Sequence, residues 1–116
     1  MMRISVAGPA IRRGDIWWTL FEFSVGGEIR KTRPAVVVSN DETNAILNRV
    51  QIVPLTSRVR RIYQSDALVQ IGGRPSKAMA DQISTADKQR LRERIGRVTS
   101  IEMKAIEEAI RTQLAL

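Results

Sequence analysis

Arg33-Pro34 and the hydroxyl pair Thr56-Ser57 are the residues of this chain whose types and settings best suit chemistry. Pro34 confines Arg33 to extended backbone, so its guanidinium leaves the start of the apolar run Ala35-Val36-Val37-Val38-Ser39 in a fixed direction. A guanidinium held that way binds phosphate bidentately and stabilises the charge that builds on a pentacoordinate phosphorus. Thr56 closes a second apolar run, Val50 to Leu55, where its hydroxyl is open to whatever lies past the strand end. Both residues also have a plain structural use. Arg33 can pair with Glu22 or Glu28 at a sheet rim, and hydroxyls that end strands routinely bond local backbone.

The chain contains neither histidine nor cysteine. Its composition therefore excludes the commonest general base, thiolate nucleophiles, disulfides and Cys-ligated metals, and with them the Ser-His-Asp and Cys-His designs. Hydroxyl, carboxylate, guanidinium and ammonium groups remain. RNA carries its own nucleophile, the 2′-hydroxyl, so a transesterase needs only alignment, oxyanion stabilisation and modest proton transfer. Hydrolysis of DNA without a metal is far harder for such a set.

Lys and Arg number 19 against 12 Asp and Glu, a net charge of +7. The excess lies in the N-terminal arm, in Arg30, Lys31 and Arg33, and in Arg58, Arg60 and Arg61 after Thr56. If the strands that end there are neighbours, the two basic segments line one groove suited to a phosphate backbone. A solvated basic face that keeps the protein soluble accounts for the same charge. Asp81-Gln82, read as part of a strand before Thr85, offers acceptor and amide groups to a splayed base, or ordinary strand-end hydrogen bonds. Trp17 and Trp18 could stack bases, but an adjacent pair in so short a chain reads as one core ring and one interface ring.

These groups need a scaffold, and 116 residues with a 43% hydrophobic fraction give one domain with a modest core. Residues 1–12 read as a flexible arm and 13–116 as the domain. Ile16 to Phe21 is a strand with apolar groups on both faces, and 24–32 is a glycine-punctuated basic loop. Strands follow at 35–39, 50–55, 67–71, 77–83 and 94–98. Pro54 points to an edge or a bulge, and turns are expected at 40–44 and 72–75. A one-turn helix is expected at 87–91. Thr99, with Glu102 three residues on, opens a final helix whose Met103, Ile106, Ile110 and Leu114 share a face. About six short antiparallel strands and one helix point to a small curled barrel. No targeting segment is evident and no apolar run approaches the roughly 18 residues that span a bilayer, so the expected location is the cytoplasm, away from membranes.

The sequence resembles the MazF/PemK (Kid) toxin endoribonucleases of type II toxin–antitoxin systems over nearly all of Arg13 to Leu116. The resemblance rests on Arg13-Gly14-Asp15-Ile16-Trp17, Arg33-Pro34-Ala35-Val36-Val37-Val38-Ser39-Asn40-Asp41, Val53-Pro54-Leu55-Thr56-Ser57, the stretch from Gln82 to Leu91, Ile95-Gly96-Arg97-Val98 and the final helix. It implies a mainly β fold with a C-terminal helix, an SH3-like (PemK/CcdB-type) barrel that forms a homodimer and binds single-stranded RNA along the interface. The implied reaction needs no cofactor or metal, and leaves 2′,3′-cyclic phosphate and 5′-hydroxyl ends. Arg33 matches the family's catalytic arginine, which stabilises the phosphorane and serves as acid or base. Thr56 matches its catalytic threonine. Gln82 matches a position that contacts bases in some members; Arg30, Lys31, Ser57, Arg58, Arg60, Arg61 and Asp81 are the further residues expected to contact RNA, on their charge and polarity. Trp17 and Trp18 are expected at the dimer or antitoxin interface. The implied partner is a cognate acidic antitoxin, through which alone DNA would be met. Two rivals remain at this point: a non-catalytic barrel that binds RNA or protein, and a gyrase-inhibiting toxin of the same fold.

Overall fold

Alternation along the first strand divides the core in two. The computed structural model describes the backbone of residues 10–23 and 29–116, with side chains at 10–21 and 31–116. In β1 (Asp15–Phe23), Ile16 joins one buried cluster and Trp17 the other, because successive side chains leave a strand on opposite faces. The strands β2 (Ile29–Val37) and β3 (Arg49–Thr56) divide the same way, with Val36, Val53 and Leu55 on the first face and Ala35, Val37, Val50 and Ile52 on the second. The first cluster is closed by α2 (Ser100–Leu114), which inserts Ile106 and Ala109.

The remaining strands are β4 (Asp66–Ile71), β5 (Arg74–Met79), β6 (Ser84–Asp87) and β7 (Leu91–Arg97). They complete a seven-stranded, curled antiparallel sheet in the order β4-β5-β3-β2-β1-β7, with β6 also on β3. The fold is thus mainly β with a C-terminal helix, as expected. Among the described residues no helix is long and apolar enough to cross a membrane.

Several local expectations are corrected. Ile29 to Thr32 belong to β2 and pair with Phe23 to Leu20, so Lys31 sits on a strand and only 24–28 of the expected loop lies outside the described residues. β1 is nine residues long, and its far half needs a hydrogen-bonding partner that the basic stretch supplies. Within the expected turn at 40–44 starts a short helix, α1 (Asp41–Ile46), because Asn40 accepts from the Thr43 N–H at 2.9 Å as its N-cap. The Gly72-Gly73 turn, with φ of 59° and 80°, is shorter than expected, and Arg74 and Pro75 are already in β5. Asp81 and Gln82 lie in a 3₁₀ turn, Ala80–Gln82, rather than a strand, while the expected one-turn helix is the 3₁₀ turn Lys88–Arg90.

Pro54 stands in a central strand, contrary to the edge or bulge expected. Val38 N–H donates to Gln51 O at 2.9 Å, so the odd-numbered residues of β3 turn their backbone groups to β2 and Pro54 turns toward the opposite edge. On that edge the β6 ladder stops at Ile52 and the β5 ladder starts at Leu55. Proline fills the one position where no N–H is required.

The start of the barrel is stapled by backbone and charge. Gly14, at φ 94°, receives the Val98 N–H and donates to Val37 O, joining the ends of β2 and β7. Asp15 is buried and fully engaged: it accepts from Arg12 N–H at 3.0 Å and Arg97 at 2.8 Å, with Arg94 at 3.2 Å. Ile11 packs on the second cluster, so the placed chain begins before Arg13; residues 1–9 of the expected arm lie outside the described residues. Arg13 bonds Val38 O and reaches Glu107 of α2 at 2.6 Å.

Arg13 N–H also donates to Asp41 at 2.7 Å, and that bond, aided by Asn44, holds the Asp41 carboxyl below its ordinary value. A depressed folded-state pKa contributes stability above the unfolded-state value and loses it as pH falls through the folded one. We therefore expect an NMR titration of the Asp41 carboxyl carbon to have its midpoint below 3.8. Asp41→Asn removes this titrating carboxyl and should flatten the acid limb of the stability curve slightly, since the group is exposed.

Candidate functional site

The second face of the sheet carries the candidate residues. Ala35 pairs with Pro54 in the β2–β3 ladder, and both strands continue past that pair. Prolonging the register by two residues sets Arg33 opposite Thr56, on the face that holds Ala35, Val37 and Ile52. Behind Arg33, its β1 partner Thr19 is fully buried and donates its hydroxyl to Trp17 O at 3.0 Å. Arg33 itself is half-buried, and no carboxylate among the described residues pairs with it. The alternative pairing with Glu22 or Glu28 falls on side chains outside the described residues.

Arg33 opens onto a shallow cleft of about 90 Å³ lined with Phe21, Pro54, Gln82 and Ser84. Ser84 pairs with Ile52 at the end of the β3–β6 ladder, and the 3₁₀ turn that precedes β6 brings Gln82 to the same cleft beside Pro54. The lining thus combines two apolar side chains, Phe21 and Pro54, with a guanidinium, an amide and a hydroxyl. Such a lining suits a flat heteroaromatic ring attached to a phosphate. Among the described residues the Gln82 amide makes one contact, at 3.5 Å to Met79 sulfur, a weak acceptor.

Thr56 does not line the cleft; it lies two residues along β3 from Pro54, with its hydroxyl accepting from Arg58 N–H at 3.2 Å. Past it the segment 57–65 carries Ser57, Arg58, Arg60 and Arg61, all exposed. Asp81 is exposed on the 3₁₀ turn, and Lys31 is exposed opposite Phe21. The side chain of Arg30 lies outside the described residues. Of the two tryptophans assigned to an interface, Trp17 is only 4% exposed and belongs to the second cluster, so it has little ring surface to offer a partner; Trp18 is 37% exposed. Among the described residues no group of three or more acidic side chains converges as metal ligands would.

Three cleft residues escaped the reading of the sequence as site residues: Phe21, Pro54 and Ser84. Phe21 carried a partial signal, since it shares the period-2 face of Trp17 and Thr19. Ser84 carried none, because its position depends on a strand pairing that no local pattern announces.

The profile of the PemK-like, MazF-like toxin of type II toxin–antitoxin systems matches residues 12–114. The endoribonuclease MazF9 of Mycobacterium tuberculosis is 36% identical over 115 residues, spanning 91% of this chain and 98% of its own. A solved mycobacterial endoribonuclease in complex with its cognate antitoxin superposes with a TM-score of 0.75 at 27% identity, covering 90% of this chain and 95% of its own. MazF of Deinococcus radiodurans superposes at 0.79 over 94% of this chain and 100% of its own; at 22% identity that likeness is one of fold.

Proposed function

We propose, from the premise that this chain belongs to the PemK-like, MazF-like toxin family of type II toxin–antitoxin systems, that it is an endoribonuclease acting on single-stranded RNA without a metal. The observation that carries the reading is the β2–β3 ladder, whose register, carried two residues past Ala35–Pro54, turns Arg33 and Thr56 to one face beside the cleft that Arg33 lines. In this account a splayed base enters between Phe21 and Gln82, and the adjoining phosphate meets Arg33. The ribose 2′-hydroxyl attacks that phosphorus in line. Arg33 neutralises the oxyanion of the phosphorane, and the Thr56 hydroxyl hydrogen-bonds a phosphate oxygen or the attacking hydroxyl. The 2′-hydroxyl gives up its proton and the 5′-oxygen gains one as the P–O5′ bond breaks, with Arg33 serving as acid or base and water as the other proton carrier, and the products are a 2′,3′-cyclic phosphate and a 5′-hydroxyl.

Exposed Arg58, Arg60, Arg61 and Lys31 give the flanking phosphates their counter-charges, while Asp81 and Gln82 meet base edges. Two copies form the working unit, with the exposed Trp18 at an interface. A cognate antitoxin with an acidic segment competes for the positive groove, folding as it binds, and links the toxin to DNA only indirectly. The working compartment is the cytoplasm, where such RNA is found.

The reading is tested by incubating the purified protein with a long mixed RNA in EDTA and characterising the fragment ends. Cutting is expected to proceed undiminished, with 5′-hydroxyl ends that a kinase labels directly. Dependence on an added divalent ion, or 5′-phosphate ends, overturns it. RNA left intact with and without metal supports a barrel that binds and does not cut.

A further inference from the structure

Lysine is almost never buried unless its charge is paired, and Lys77 of β5 is only 8% exposed. It is the Cα partner of Thr56 across the β3–β5 ladder. Its Nζ donates to Arg61 O at 2.6 Å and to Asp66 Oδ2 at 3.0 Å, and lies 5.3 Å from the centre of the Tyr63 ring. The Asp66 side chain is buried more deeply still and accepts from Tyr63 N–H at 2.8 Å. One ammonium and one carboxylate therefore grip the segment 57–65 at two points, Arg61 and Tyr63, while Thr56 holds Arg58. Burying an ion pair is costly, and neither partner contributes to the apolar clusters, so the pair's evident effect is to fix where this segment lies.

We propose that Lys77 is a positioning residue, whose buried ammonium, paired with Asp66 and bonded to the Arg61 carbonyl, holds the 57–65 segment so that Arg58, Arg60 and Arg61 grip the RNA phosphates beside Thr56. This rests on the ribonuclease reading and extends it to a group that touches no substrate. Three guanidiniums on a fixed segment lose less entropy on binding RNA than three on a loose one, so the anchor acts on substrate affinity. The bond-breaking step at Arg33 is left alone.

The test compares the full-length wild-type chain with Lys77→Met and with the double variant Lys77→Met/Asp66→Asn. The single change strands a buried carboxylate and can unfold the protein; the double change removes both charges at similar volume. In the folded double variant, amide exchange at Arg58 and Tyr63 should quicken, and KM for RNA should rise about tenfold with kcat within about twofold. The salt slope of RNA binding should fall by about 0.7 for each phosphate that the loosened segment no longer neutralises. An unchanged KM and salt slope in a folded double variant overturn the proposal, as does a fall in kcat at constant KM. Should the double variant fail to fold, Lys77→Gln/Asp66→Asn, a pair without charge that can still hydrogen-bond, carries the test by the same KM criterion. If the wild type cuts no RNA, the ribonuclease reading fails, and the binding slope with amide exchange still decides the role of Lys77.

Discussion

Arg33→Ala is expected to abolish RNA cleavage, lowering the rate by about 10³-fold, while the protein stays folded. The side chain is half-buried and lines the cleft, outside both apolar clusters, so its loss leaves the core intact. The effect is large because the guanidinium is aimed before substrate arrives: Pro34 fixes its backbone, and buried Thr19 backs it. Arg33→Lys should recover little of the lost rate, since a point charge cannot reproduce the planar fork that meets two phosphate oxygens. Initial rates on one RNA, read beside thermal melts, check both variants. A folded Arg33→Ala protein that still cuts at the wild-type rate refutes the assignment, and an unfolded one makes Arg33 structural.

Ile106→Ala should do the reverse, removing about 2–5 kcal/mol of stability while the folded protein keeps its activity. Ile106 is fully buried in the cluster that also holds Val36, Val53 and Leu55. It enters from α2 on the first face, whereas Arg33 and Thr56 lie on the second, so the cavity forms on the far side of the sheet from the cleft. Urea unfolding measures the loss as a lower midpoint with little change in slope. A loss below about 1 kcal/mol would mean that the helix docks through other contacts. Together the two variants separate the face that holds the molecule together from the face that does chemistry.

The parts of the fold that local rules govern could be read directly. The final helix starts where the Thr99/Glu102 capping box put it, with Thr99 N–H to Glu102 at 2.8 Å and Glu102 N–H to Thr99 at 3.1 Å. The buried Val36-Val37 strand was equally plain, because an unbroken apolar run has no other place to go. What escaped depends on partners distant in sequence. Ile29 to Thr32 look like a loop until β1 is seen to need them, and Pro54 looks like an edge residue until the gap between β6 and β5 is seen beside it. Lys77 has the composition of a surface residue, and only the segment folded over it reveals that it is buried. At the site, Arg33 and Thr56 were visible as chemistry, whereas their common register and the Phe21, Pro54 and Ser84 lining come from the pairing of β1, β2, β3 and β6.

The central claim is that the ribose itself attacks, with a fixed guanidinium and a nearby alcohol as the protein's contribution. Once the preferred cleavage site is mapped from the 5′ ends of cut RNA, two oligonucleotides settle the matter: one all-ribose, the other lacking only the 2′-hydroxyl at the nucleotide just before the scissile phosphate. The account predicts that the first is cut and the second binds but stays whole. Equal cutting of both would contradict it, because the attacking oxygen would then have to come from somewhere other than the RNA.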